Sequence, residues 1–180
     1  MQKLASFSAL VLFLSSCISG GGKDSGETAD TQSNEPQNPE TGLMQGMTEE
    51  HNQIRRPYDV PDLSWDEDLV EISLDWLNVL NENGCQMEHN WDSPYGENLF
   101  WTSMTSNNRE VVQAWASEVE HYNYESNSCA PGEMCGHFTQ VVWSTTERVG
   151  CASLTCDDGR GELWMCNYDP AGNWVGERPW

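Results

Sequence analysis

Cys151 and Cys166 flank two strand-like runs joined by Asp157-Asp158-Gly159-Arg160-Gly161, a turn-forming stretch, so the two cysteines fall nearly opposite one another across a β-hairpin. Cys156 stands an odd number of positions from Cys151, points to the other face of its strand, and needs a partner elsewhere. With Cys17 set aside in the leader, six of the seven cysteines remain: Cys85, Cys129, Cys135, Cys151, Cys156 and Cys166. An even set in an exported chain reads as a disulfide framework, for which six cysteines allow fifteen pairings. A zinc reading of Cys129 and Cys135 is disfavoured, because their spacing matches no usual C-x-x-C site.

Export itself is expected from the amino terminus. Lys3 precedes residues 4–14, which are apolar apart from Ser6 and Ser8; this run is too short to span a membrane and suits a secretory signal. Leu14-Ser15-Ser16-Cys17 resembles the lipobox of bacterial lipoproteins, which implies a signal peptide over 1–16 and a lipidated Cys17 as the mature first residue. With Ile18 next, the expected destination is the cell surface or outer membrane. The alternative is a signal cut near Ser16 or Gly20, giving a secreted soluble protein. Residues 18–43 are rich in Gly, Ser, Thr, Asn, Glu and Pro and nearly free of aliphatics, so they cannot bury enough apolar area to offset ordering entropy. As a disordered acidic tether this stretch would reach roughly 25–30 Å. A single domain over 44–180 follows, and no repeat of solenoid or propeller period is present.

Charge narrows the partners. The formal total is −21, and residues 51–180 hold six Arg against 22 acids. Such a surface repels phosphate backbones and anionic headgroups, so nucleic acid is excluded as a partner and the membrane is reached through a lipid anchor only. No EF-hand pattern is present.

Periodicity places a short helix over 48–56, with His51 and Arg55 one turn apart. Ser64-Trp65-Asp66-Glu67 reads as a capping box opening a helix to about residue 81, with Leu69, Ile72, Trp76, Leu77 and Leu80 as its apolar stripe. A third helix is expected over 108–121, burying Val111, Trp115 and Val119 and holding Glu118 beside that face. Residues 99–103, 149–156 and 162–168 read as strands. The expected architecture is α+β: an α/β/α sandwich with a small three-stranded antiparallel sheet, stapled by disulfides. Most of the nine tryptophans are expected in the core.

Two runs near the carboxyl end, Gly136-His137-Phe138-Thr139-Gln140-Val141-Val142-Trp143 and Cys166-Asn167-Tyr168-Asp169-Pro170 closing with Gly172-Asn173-Trp174, resemble the signature stretches of the CAP superfamily of cysteine-rich secretory proteins, venom antigens and plant pathogenesis-related proteins. His51-Asn52-x-x-Arg55, Pro61-x-Leu63-Ser64-Trp65-Asp66-x-x-Leu69, His89, Gly96-Glu97-Asn98-Leu99 and Trp115-x-x-Glu118-x-x-x-Tyr122-x-Tyr124 follow in family order, so the resemblance covers residues 45–180.

The resemblance implies the pairings Cys85 with Cys156, Cys129 with Cys135 and Cys151 with Cys166. It also implies a cleft lined by His89, Glu97, Glu118 and His137, a donor set suited to Zn2+ or another divalent cation. The interval between His89 and Glu97 departs from relatives in lacking their His-Ser pair. His51 and His121 fall outside the cleft set. His51 with Asn52 is expected to anchor the first helix, and His121 to face solvent. The reading favoured is a non-enzymatic extracellular binding module for a lipid, small ligand or protein. Two alternatives stand beside it: a metal-dependent hydrolase or protease using the His/Glu cleft, and a purely structural surface domain. No G-x-S-x-G elbow or H-E-x-x-H helix is present, and no catalytic residue is assigned.

Overall fold

A computed structural model describes residues 40–180. The leader, Cys17 and the tether up to residue 39 lie outside the described residues. Glu40 already belongs to the folded part, because its carboxylate accepts the backbone N–H groups of Gly46 at 2.6 Å and Thr48 at 2.8 Å, and the Thr48 hydroxyl. It thereby satisfies donors left open at the start of α1, Met47–Arg55.

The central sheet has four strands in the order β1-β5-β6-β2. Strands β2 (Gly96–Thr102), β5 (Arg148–Thr155) and β6 (Glu162–Asp169) are the three expected, each within a few residues of its forecast position. They pair antiparallel, and Cys151 lies opposite Cys166. The three-stranded expectation is corrected by β1, Ser64–Trp65, which runs parallel to β5. Ser64 N–H donates to Glu147 O and Asp66 N–H to Val149 O, so the segment read as a capping box is tied to the sheet instead. The N-cap is Asp66, whose side chain accepts from the N–H groups of Asp68 and Leu69. Helix α2, Glu67–Glu82, starts from there.

Strand alternation sends neighbouring residues to opposite faces, and each face has its own core. Leu99, Leu163, Met165 and Ala152 pack against Leu77 and Leu80 of α2. Val149, Cys151, Trp164, Cys166 and Tyr168 pack on the other side against α1, α3 (Asn108–Ser117) and α4 (Gly136–Val141). Gly150 sets the approach of α2, since a Cβ there would lie 2.4 Å from Asp66 O and 2.5 Å from Val70 N. The result is the expected α/β/α sandwich. A minor hairpin pairs β3, Tyr122–Asn123, with β4, Ser128–Cys129.

Three disulfides join Cys85 to Cys156, Cys129 to Cys135 and Cys151 to Cys166. The first ties the end of α2 to the end of β5 across 71 residues of chain and is worth about 4 kcal/mol in the chain-entropy account.

Two further expectations are corrected. The third helix stops at Ser117, and Glu118–His121 forms a 3-10 turn. Tighter winding advances each residue by about 120° instead of 100°, which carries Val119 off the buried face, to 37% exposure. The tryptophans are also divided: Trp115, Trp143 and Trp164 are buried, while Trp91, Trp101 and Trp174 are exposed. Among the described residues no helix is long and apolar enough to cross a membrane.

Candidate functional site

The site forms at the beginning of β2, an edge strand reached from both faces of the sheet. Alternation puts Glu97 on the face of Leu99 and α2, and Asn98 on the face of Phe100 and the other helices. Gly96 is required where α4 crosses the strand, because a Cβ would meet Gln140 Oε1 at 2.2 Å.

His89 and Glu97 form one pair, with Nδ1 and Oε1 2.5 Å apart. Glu97 is nearly buried and also receives the backbone N–H of Asn90, so the carboxylate fixes both the ring and the loop that carries it. The hydrogen bond that His89 donates to the Glu97 carboxylate raises the His89 pKa above its ordinary value, and partial burial opposes that shift without reversing it.

His137 and Glu118 form the second pair, with Nδ1 and Oε1 2.6 Å apart. The other oxygen, Glu118 Oε2, accepts the backbone N–H groups of His137 at 2.9 Å and Phe138 at 3.2 Å. Burial pushes the Glu118 carboxyl up, but the His137 ring and these N–H donors outweigh it, and the net shift is downward. Glu118 therefore serves the open N-terminus of α4 and the orientation of its histidine together.

Helix α4 is held at its other end by Arg55. This buried guanidinium donates to the carbonyls of Pro61, Val141, Trp143 and Thr146 at 2.7–3.1 Å. Burial lowers its pKa to about 10, so it remains charged at neutral pH. A cation at the C-terminal end and a carboxylate at the N-terminal end both complement the helix dipole.

Below the cleft, His51 is fully buried, with Nδ1 2.9 Å from Met47 O and Nε2 2.9 Å from the Tyr168 hydroxyl. A carbonyl only accepts, so Nδ1 donates and Nε2 accepts from Tyr168. Asn98 Nδ2 donates to the same hydroxyl and to His137 O, each at 3.1 Å. The first helix is thus joined to the cleft through a polar chain. Asn52 anchors α1 separately by exchanging two hydrogen bonds with the Leu63 backbone. His121 is half exposed, 3.7 Å from Glu133.

His89, Glu97 and His137 line one cleft of about 310 Å³; Glu118 stands behind His137 and does not line it. In both pairs Nδ1 faces a carboxylate and donates, which leaves Nε2 as the lone-pair nitrogen of each neutral ring. Among the described residues no group of three or more His, Cys, Asp or Glu is placed to hold a metal ion. The carboxylates are committed to orienting the rings, so a donor set of all four side chains does not fit. That leaves the two imidazole Nε2 atoms as the nitrogen donors at the cleft, one short of the three protein ligands usual in an open zinc site.

Sequence reading missed Asn98, Gln140 and the exposed Trp91 as cleft residues. For Asn98 a signal existed: in a strand, the neighbour of a cleft carboxylate faces the opposite helix layer.

Residues 48–168 match the Cysteine-rich secretory protein family, CAP. The chain belongs to the CAP family. Pathogenesis-related protein PR-1 of Medicago truncatula is 50% identical over 119 residues, covering 66% of this chain and 68% of its own. Pathogenesis-related protein 1 of Arabidopsis thaliana is 42% identical over 130 residues, 72% and 78% of the two chains. Among solved structures, Schistosoma mansoni venom allergen-like protein 4 superposes with a TM-score of 0.63 at 21% identity, covering 78% of this chain and 94% of its own. NaASP2, determined with Zn2+, gives 0.63 at 21% identity, covering 81% and 88%. At these identities the two structures support the fold. Membership of a secretory CAP family, together with three disulfides, agrees with an exported protein.

Proposed function

We propose that this CAP protein is an exported lipoprotein, anchored through Cys17, whose domain is a non-enzymatic extracellular binding module. The observation that carries the reading is the pair of carboxylate-backed imidazoles, His89–Glu97 and His137–Glu118, whose histidines share one cleft. Each ring is oriented before any ligand arrives, which lowers the ordering cost of binding. A divalent cation such as Zn2+ would be held by the two Nε2 atoms, where it would supply positive charge and open coordination positions to a ligand. Glu97 and Glu118 would hold the Nδ1–H tautomers and keep the rings aligned.

The reading is tested by following the four histidine rings by NMR during a Zn2+ titration. Saturable shifts at His89 and His137, with His51 and His121 unmoved, support the site. Uniform shifts at half-exposed His121 and the cleft rings alike would reduce the effect to attraction by the acidic surface and overturn it. Metal-dependent peptide cleavage lost on replacing His89 and His137 would favour the hydrolase alternative.

A further inference from the structure

The cleft continues beyond the histidines. A second cavity of about 320 Å³ lies beside it and shares Gly136 and Asn173 with it. Each is at the lower end of the roughly 300–1,000 Å³ usual for small-ligand sites, and together they suit an elongated molecule better than a compact one. Trp91, 84% exposed, lines the first cavity, and Trp174, 61% exposed, lines the second. Leaving two indoles in water is unfavourable, and both are oriented. Trp91 meets the His89 ring edge to face at 5.7 Å, and the Trp174 indole N–H donates to Ala171 O at 3.0 Å. The first cavity also holds polar groups with open hydrogen-bonding capacity. These include the Nε2 atoms of His89 and His137, which their carboxylates leave unengaged.

The charge inventory limits what the groove can take. Both lysines lie outside the described residues, and all six arginines are engaged. Arg56, Arg109, Arg148 and Arg160 pair with carboxylates, while Arg55 and Arg178 donate to backbone carbonyls. Among the described residues no unengaged Lys or Arg is left to recognise a phosphate, sulfate or carboxylate, and the net charge repels them. An uncharged molecule with apolar faces for the indoles and a periphery of hydroxyls for the polar groups meets every one of these conditions. Sugar rings have that chemistry.

We propose that the joined cavities form a groove for neutral oligosaccharides, with Trp91 and Trp174 as stacking platforms. The inference rests on the binding-module reading above and names its ligand class. The test is titration calorimetry at neutral pH with hexamers of N-acetylglucosamine, cellulose and starch, and with heparin as a polyanionic comparison. The expected result is saturable binding of at least one neutral hexamer, weakened about tenfold in Trp91→Ala and in Trp174→Ala and largely kept in Trp91→Phe. Both indoles are exposed, so the variants should retain the parent's circular dichroism. No saturable binding of any neutral hexamer, affinity unchanged in both alanine variants, or tighter binding of heparin would each overturn the proposal. If Zn2+ still shifts His89 and His137 when sugars fail, the oligosaccharide inference alone falls. Failure of both ligands also removes the binding-module reading.

Discussion

Glu118 grips His137 twice: Oε1 takes the ring Nδ1–H at 2.6 Å and Oε2 takes the backbone N–H at 2.9 Å. One carboxylate therefore sets both the position of α4 and the rotamer of the ring it carries. Glu118→Ala leaves these donors unpaired and should cost about 2 kcal/mol in denaturant unfolding, with Glu118→Gln recovering part of the loss. A loss below a few tenths of a kcal/mol would show that α4 is held by packing alone.

Acid should destabilise the domain through His51. Its folded pKa is lowered to about 4, by burial first, against about 6.5 when unfolded. The unfolded chain therefore binds the extra proton, so the stabilisation is full above pH 6.5 and is lost as pH falls toward 4, amounting to about 3 kcal/mol. Glu118, shifted down, acts in the same direction at lower pH. His89, shifted up, contributes in the opposite sense: its share is present below pH 6.5 and fades as pH rises through its raised folded pKa. Urea unfolding between pH 7 and pH 4 on the parent and His51→Gln should show a shallower decline in the variant. Parallel declines would assign the acid sensitivity elsewhere.

Unreduced peptide mapping should recover the Cys85–Cys156 link, and replacing both cysteines with serine should cost about 4 kcal/mol, more than opening Cys129–Cys135. Equal losses for the two would mean that loop length does not govern their contributions.

Cys17→Ser should release the protein from membranes. If the variant pellets with membranes as the parent does, the anchor is not Cys17.

The hairpin register of Cys151 and Cys166 was legible because a turn with Gly flanked by strand-like runs fixes which residues face each other. Strand β1 was not, because two residues carry no periodicity and owe their conformation to hydrogen bonds with β5. The early end of α3 was not legible either: Val119 continues the apolar stripe in sequence, while Glu118–His121 winds as a 3-10 turn. Family resemblance singled out His89, Glu97, Glu118 and His137, but their division of labour was not legible. The resemblance implies two His and two Glu lining one cleft; only the geometry shows that Glu118 stands behind His137 and that both glutamates grip Nδ1 atoms and leave Nε2 unengaged.

That division of labour is tested most directly by titration calorimetry with Zn2+, comparing the parent with a His89→Ala, His137→Ala double variant at pH 7.5 and pH 5.5. The account predicts saturable binding in the parent that weakens at the lower pH, because a protonated imidazole cannot ligate, and its loss in the double variant at both. Equal saturable binding in parent and double variant would contradict it.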